Sequence, residues 1–131
     1  MDVESAIRAR LTVDPGVTAV VAQRVYWIDR PQLQLMPAIT LQIIDDSRDQ
    51  NMDGFQTMQF LLVQVDVWAN NYAEGKAIKE AVIATLTPKA TANAIAFGTA
   101  TNIRTRDLSE QTETQFIYRP SLEFKFNYTA A

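Results

Sequence analysis

The sequence of 131 residues contains no cysteine and no histidine. Without cysteine there can be no disulfide, no thiolate nucleophile and no thiolate metal site. Without histidine, the usual base at neutral pH and the commonest ligand of transition metals are missing. Carboxylates are then the only plentiful acid–base groups, and much of enzyme chemistry is excluded.

Glycine and positive charge are also scarce. The four glycines, at positions 16, 54, 75 and 98, are too far apart for a phosphate-binding loop or a dinucleotide fingerprint. Twelve basic and 15 acidic residues give a net charge of -3, which provides no broad attraction for a phosphate backbone. Neither a nucleotide-dependent enzyme nor a dedicated nucleic-acid binder is predicted.

Long apolar runs are missing as well. The sequence begins Met-Asp-Val-Glu, which is unlike a secretory signal. The most apolar stretch, residues 60–69, is interrupted by Gln64 and Asp66 and is too short to span a bilayer. We therefore expect a soluble protein made in a cytoplasm, without a membrane partner. The length fits one domain over residues 1–131, large enough to bury a core.

Three segments carry the signals of helices. Residues at helical spacing in the first segment are Val3, Ala6, Ile7, Arg10 and Leu11. Asp14 and Pro15 supply a capping side chain and a first-turn proline for a short second helix. The third segment, residues 71–86, opens with Asn-Tyr-Ala-Glu in the form of a capping box and has one apolar stripe. Two main helices and a short one are predicted.

Alternating side chains predict strands in the rest of the chain. Residues 25–28 and 39–44 are β-prone, and a strand over residues 55–69 follows the Asp53-Gly54 turn, which together predict a long β-hairpin. Residues 99–108 are also β-compatible, whereas residues 87–99 predict a loop with one short element near positions 95–97. In a last strand, residues 115–128, the aromatic side chains share one face.

These elements predict an α+β fold. Pro120 cannot donate to a strand ladder, so the last strand is expected at a sheet edge or at a bulge. The single apolar face of each element predicts a two-layer domain, in which a mixed or antiparallel sheet of about four to six strands carries two main helices on one face.

The predicted hairpin is longer than a lone domain needs. A strand of 15 residues over positions 55–69 would extend about 50 Å, beyond the usual 3–10 residues. Its outer part keeps apolar and adaptable side chains, which suit a contact surface. The alternative is a bent strand that wraps the core. The candidate protein-interface residues are Asp45, Asp46, Arg48, Asp49, Met52, Asp53, Phe55, Met58 and Phe60.

The sequence gives less support to a metal-binding, catalytic or ligand-binding role for single residues. The four aspartates between positions 45 and 53 could suggest calcium, but the loop lacks the glycine and the final glutamate of a helix–loop–helix calcium site. Asp66 shares its strand face with Gln64, which favours a polar surface over catalysis. Trp27 and Trp68 leave two alternatives open, binding anchors or packing at strand ends. We predict no catalytic residue, no metal site and no cofactor.

The order of these signals resembles the tail-completion, or tail-terminator, family of siphophages and prophages. The resemblance rests on a proline-led strand (PAITLQIIDDSRD), an Asp-Gly turn (MDGF), a strand ending in Asp-Val-Trp (VQVDVWA) and a helix opening on tyrosine (NNYAEGKAIKEAVIATL). The first helix and the segment RVYWIDRPQ also fit. About two-thirds of the chain is covered, and the last third matches only as an amphipathic strand.

The resemblance implies a structural virion protein without catalytic residues. Such a protein forms a ring, typically a hexamer, at the head-proximal end of the tail, after assembly in the host cytoplasm. It ends polymerisation of the tail-tube protein and offers a surface to the head-completion or connector protein. Genomic DNA would pass through without specific binding, which an acidic chain suits.

Two other functions remain as alternatives. A head-closure or neck subunit of the same particle would share the size and the fold class, and its position in the assembled tail would distinguish it. A small-ligand-binding or carboxylate-dependent enzyme domain would instead require a concave site with shifted carboxylate pKa values.

Overall fold

A computed structural model describes residues 3–27, 37–47, 50–51, 54–55, 59–111 and 116–130. These residues form three helices and eleven strands. The helices are α1 (Val3–Thr12), α2 (Pro15–Val21) and α3 (Tyr72–Leu86). The strands are β1 (Val25–Trp27), β2 (Ala38–Ser47), β3 (Gln50–Asn51), β4 (Gly54–Phe55), β5 (Gln59–Trp68), β6 (Ala90–Ala92), β7 (Ile95–Phe97), β8 (Thr101–Asp107), β9 (Glu110–Gln111), β10 (Phe116–Ile117) and β11 (Pro120–Ala130).

The helices form where the capping residues predict them. The Asp14 carboxylate accepts a hydrogen bond from the Val17 amide at 3.1 Å, and Pro15 occupies the first turn of α2. Asn71 caps α3 by accepting from the Glu74 amide at 2.8 Å. The Glu74 carboxylate accepts in turn from the Asn70 amide. Local side-chain chemistry therefore sets the start of both helices.

Seven of the described strands form one mixed sheet. Its order is β1-β2-β5-β11-β7-β6, and β8 also pairs with β11. β1 runs parallel to β2, whereas the other pairs are antiparallel. The predicted α+β fold with a mixed sheet is confirmed. The sheet exceeds the predicted four to six strands because residues 90–97 form the β6–β7 hairpin, whose turn holds Asn93 and Ala94 at positive φ.

The core lies between the helices and one face of this sheet. In the register of β11 and β5, Phe124 pairs with Val63 and Phe126 with Leu61, and all four side chains point into the core. The largest fully buried side chains of the described residues are Phe124, Phe126, Ile7, Leu11, Ile39, Leu41, Leu61, Ile78, Leu86, Ile95, Leu122 and Val17. Every helix contributes to this list, as the predicted apolar stripes require.

β11 is central, and its predicted place at a sheet edge is wrong. It pairs with β5 on one side and with β8 and then β7 on the other. Pro120 is the first residue of β11, a position that tolerates the missing N–H. A bulge does interrupt the strand, but it lies between Glu123 and Phe124, opposite β8.

The β2–β5 hairpin is confirmed, although the 15-residue strand predicted for its second arm is not continuous. β5 has 10 residues and pairs with β2 from Trp68 opposite Ala38 to Phe60 opposite Ser47. Beyond this point β4 folds back onto β3, where Phe55 pairs with Gln50. A bulge between Ile43 and Asp45 interrupts β2, and Ile44 beside it is 47% exposed.

Gly75 lies where α3 crosses the chain before β11. A Cβ at this position would overlap the Tyr118 ring, at 2.7 Å from Cε2, and Tyr118 is buried. We expect Gly75→Ala to lower the free energy of unfolding by about 1–3 kcal/mol, because overpacking exceeds the gain of about 1 kcal/mol in helix propensity. Urea denaturation measures the change.

Gly98→Ala is the matched control for this substitution. Its Cβ would meet the amide end of the Asn127 side chain, with Cγ at 2.9 Å, and that end can rotate away. A rigid buried ring cannot yield in this way. Gly98→Ala should therefore cost clearly less than Gly75→Ala, and equal losses would contradict the steric explanation.

Candidate protein-interaction surfaces

The nine predicted interface residues belong to the segment from Asp45 to Phe60, and the structure describes them unevenly. Asp45 and Asp46 lie near the end of β2, Phe60 is the second residue of β5, and only the backbone of Phe55 in β4 is described. Those that lie outside the described residues are Arg48, Asp49, Met52, Asp53 and Met58. The role of the hairpin tip as a protein interface therefore stays a prediction.

The two aspartates at the end of β2 are exposed on opposite faces of the sheet. Asp45 pairs with Leu62 and Asp46 with Leu61, and successive side chains of a strand alternate between faces. The Tyr128 hydroxyl lies 3.4 Å from Asp46 Oδ1 and donates to it. This end of the hairpin therefore presents carboxylates on both of its faces.

The sheet face opposite the helices is half-buried along β5 and carries both polar and apolar side chains. Gln64 donates to the Asp66 carboxylate at 3.1 Å, which ties Asp66 to its neighbour on the same face. At the other end of this face, the Phe60 ring lies 5.7 Å from the Lys125 ammonium. Phe60 is thus partly covered within its own chain.

Both tryptophans are bonded within the chain. The Trp27 indole donates to the Glu4 carbonyl at 3.0 Å and holds α1 against β1. The Trp68 indole donates to the Thr40 hydroxyl at 2.9 Å, and the Arg119 guanidinium lies 4.8 Å from its ring. Of the two alternatives left open by the sequence, these contacts favour packing at the strand ends.

The β8 strand is a polar surface that sequence reasoning did not single out. Arg104, Thr105, Arg106 and Asp107 are all exposed, and Arg106 forms an ion pair with Glu123 at 3.5 Å. Hydrogen bonds from the hydroxyl and the amide of Ser109 hold the pKa of Asp107 below its usual value. The second half of β8, from Arg104 to Asp107, is therefore an exposed and charged part of the strand.

Arg10 is a buried cation on α1, at only 6% exposure. Its Nη2 donates to the carbonyl of Thr85 at 3.0 Å and to that of Pro88 at 2.7 Å, at the C-terminal end of α3. The guanidinium carbon lies 5.1 Å from the Phe97 ring centroid. Burial lowers the pKa of Arg10, which still remains a cation at neutral pH.

A cleft of about 370 Å³ opens beside Arg10. The residues that line it are Ala9, Arg10, Val13, Thr85, Ala90, Thr91, Ala92 and Asn93. Val13 is 75% exposed, and the Nη1 atom of Arg10 is buried with no acceptor among the described residues. Arg10 occurs at helical spacing among apolar residues in the sequence, and a cation in such a position is the signal that could have singled it out.

The described residues hold no group of three or more acidic side chains that could bind a metal ion. A second cleft, of about 220 Å³, is lined by Glu4, Trp27, Gln42 and Ile43. None of the described helices has the length and the apolar character needed to cross a membrane. The described residues thus include two charged surfaces, at the end of β2 and on β8, and a buried cation, Arg10.

Comparisons with known proteins agree with this picture. A family model described as "Tail completion protein gp17" matches residues 5–126. A chain in the structure titled "Virion of native gene transfer agent (GTA) particle" is 18% identical, with a TM-score of 0.75, over 97% of this chain and 94% of that one. At this identity the likeness shows the fold alone. The search of curated proteins gave no match.

Proposed function

Since the chain belongs to the tail completion protein gp17 family, whose model covers residues 5–126, we propose that it closes the tube of a phage or phage-like tail as a ring. The role is structural tail completion. In the finer proposal, a ring of copies, six in number, stops addition of tail-tube protein at the head-proximal end. The exposed side of the ring then receives the head-completion or connector protein.

The match of the family model over almost the whole chain carries this proposal. The likeness in fold to a chain from a gene transfer agent virion is consistent with it. A ring requires heterologous contacts, in which one patch meets a different patch on the next copy. Open strand edges and a hairpin are suitable devices for such contacts, because a strand can add to the edge of a neighbouring sheet.

The charge of the chain suits a conduit for DNA. A net charge of -3 provides no attraction for the phosphate backbone, so DNA should pass through the ring without being held. With no histidine and no cysteine, we also propose that the protein performs no turnover and binds no cofactor. A cofactor retained in stoichiometric amount through purification, detected by native mass spectrometry, would contradict this part.

Tail length is the test of the proposed function. Particles produced without the protein are expected to carry overlong tubes that do not join heads, because nothing stops addition of tube subunits. Supplying the protein from a plasmid should restore one uniform tail length, measured by electron microscopy of negatively stained particles. Tails of uniform length in its absence would show that tube growth is stopped by another component.

The same assay separates tail completion from the alternative role in the neck. A head-closure subunit would leave tail length unchanged and would only prevent joining, so free tails of normal length would accumulate beside filled heads. The ring number is measured separately, by the mass of the assembly in native mass spectrometry. A mass of six copies is expected.

A further inference from the structure

We propose that the end of the β2–β5 hairpin, with its strands β3 and β4, adds to the open edge of β8 in the next copy of this chain. Backbone hydrogen bonds between the incoming strand and β8 hold this contact. It joins two different places of one chain and is therefore head-to-tail, as a ring requires. The inference rests on the proposed ring, for which it names the contact.

The edges of the described sheet, at β1, β6 and β8, differ in how far the chain itself closes them. At β1, the Arg8 guanidinium donates to the carbonyls of Val25 at 2.9 Å and Gln23 at 3.1 Å. β6 has only three residues and lies beside α1, with which it lines a cleft. β8 has seven residues, and β11 is its one neighbour among the described strands. It is therefore the longest edge that the described chain leaves open.

The second half of β8 is also bare on both faces of the sheet. Arg104, Thr105, Arg106 and Asp107 are successive residues, so their side chains alternate between the faces, and all four are exposed. On the neighbouring strand, Leu122 lies opposite Thr105 and is fully buried. The helices that cover β11 thus do not cover this part of β8. A further strand can be added here without displacing a packed side chain.

The charge of β8 favours the hairpin over a second β8 strand as the partner. Two β8 strands paired antiparallel about Thr105 would place Arg104 opposite Arg106, and like charges in opposite positions are destabilising. The hairpin segment between positions 45 and 53 instead contains four aspartates and one arginine. The ion pair of Arg106 with Glu123 is long, at 3.5 Å, and the arginine side chain is 43% exposed, so it can also contact an incoming acidic strand.

The hairpin end supplies strands with edges of their own. β3 and β4 form a two-stranded sheet, in which Gln50 lies opposite Phe55 and Asn51 opposite Gly54. Each of the two has one strand neighbour among the described strands. One edge of each strand is therefore available for pairing with another copy.

The hairpin end and the second half of β8 lie toward opposite ends of the sheet. Along β11, Tyr128 lies opposite Gln59, where β5 leaves the hairpin, whereas Ser121 lies opposite Arg106 on β8. Seven residues of strand correspond to about 23 Å. The hairpin end and the β8 edge therefore cannot pair with each other within one copy. Between copies, the same contact repeats and closes into a ring when the rotation allows.

Disulfide cross-linking tests the contact, because a chain without cysteine gives an empty background. Thr105→Cys is placed on β8 and is combined with Gln50→Cys or Asn51→Cys on β3, so that both faces of the incoming strand are sampled. Tails assembled from these chains are oxidised and run on a denaturing gel. One of the double variants should give a ladder of linked copies up to the size of the ring, whereas each single variant should stay monomeric.

Mixed assembly and a matched control test the head-to-tail geometry. Tails that contain both single variants should give cross-linked dimers that grow no further, because each copy then carries half of the pair. Ala77→Cys, which is exposed on α3, replaces Thr105→Cys as the control and should give no ladder with either hairpin cysteine. No cross-link to β8, or an equal ladder with Ala77→Cys, would overturn the proposal.

Charge reversal on β8 tests the same contact without cysteines. Arg104→Glu with Arg106→Glu should repel the acidic hairpin and lower the fraction of tails joined to heads at least tenfold, at an unchanged melting temperature. Lys76→Glu with Lys89→Glu alters the net charge equally at exposed positions and should leave joining near the wild-type level. Equal joining by both variants would contradict the contact.

Tail length separates this contact from the proposed function. Absence of the β8 cross-link in tails of normal length contradicts only the contact, and the role in tail completion stands. Failure of the wild-type chain to restore uniform tail length contradicts the proposed function itself.

Discussion

Phe124→Ala should lower the free energy of unfolding by about 3–5 kcal/mol, the cost of removing a buried aromatic ring from a packed core. Phe124 is fully buried in β11, opposite Val63, and its ring stacks on that of Phe126 with centroids 6.0 Å apart. Because β11 is paired on both sides, the surrounding strands cannot collapse into the cavity without shifting the ladder. Chemical denaturation followed by tryptophan fluorescence measures the loss.

Lys125→Ala provides the control in the same strand. Lys125 is exposed on the opposite face, and exposed substitutions usually change stability by less than about 0.5 kcal/mol. Comparing the two variants separates burial from any general sensitivity of β11. A loss below 1 kcal/mol for Phe124→Ala would show that this residue does not belong to the core.

Charged replacements at Met52, Phe55 and Met58 should have the largest functional effect. If the end of the hairpin engages a neighbouring subunit or the tube, a triple lysine variant would bury charges without partners and weaken capping by several kcal/mol. The melting temperature should stay close to that of the wild type, because the tip would contribute little to the core. Tail length and head joining are then scored by electron microscopy.

A triple variant with the same added charge serves as the reference. Ala73, Ala77 and Ala84 are exposed on α3, so lysines there alter the net charge equally without touching the hairpin. Normal tails from the hairpin variant would show that the tip is not the contact. A collapsed melting temperature for that variant alone would show that the long hairpin wraps the core, the alternative left open by the sequence.

The helices could be predicted because their signals are local. Asp14 and Asn71 each accept a hydrogen bond from an amide three residues ahead. A residue next to each helix therefore determines where the helix begins. The β2–β5 hairpin was equally accessible through its alternating residues and the polar segment between its arms. In both cases the information lies within a few neighbouring residues.

Pairing between strands that are distant in the sequence could not be predicted from such local patterns. The aromatic face of β11 predicted a buried face, but nothing in its own residues tells whether one or both of its edges are paired. The small side chains of residues 90–97 gave no clear period, so the β6–β7 hairpin was predicted as a loop with one short element. Their β structure depends on β11, which pairs with β7.

The surroundings of Arg10 could not be predicted either, because they also depend on residues that are distant in sequence. The spacing of Arg10 among apolar residues predicted a helix, but it did not predict where the guanidinium would bind. Its acceptors, the carbonyls of Thr85 and Pro88, are 75 and 78 residues away in sequence, and no local pattern links them. The interface at the hairpin was predicted from the length of its second arm and from the apolar side chains of its outer part, and it remains a prediction.

The position of β11 also has a consequence for the order of folding. The β2–β5 and β6–β7 hairpins each close over a short stretch of chain, but they are joined through β11, in which Phe124 meets Val63 from 61 positions earlier. Closing so long a loop costs entropy before any contact compensates for it, which is typical of domains that fold in milliseconds to seconds. Until β11 is in place, strand edges stay open in both halves, so newly made copies are most prone to mispairing in that interval. A subunit would thus become competent for assembly in one cooperative step, when its central strand docks.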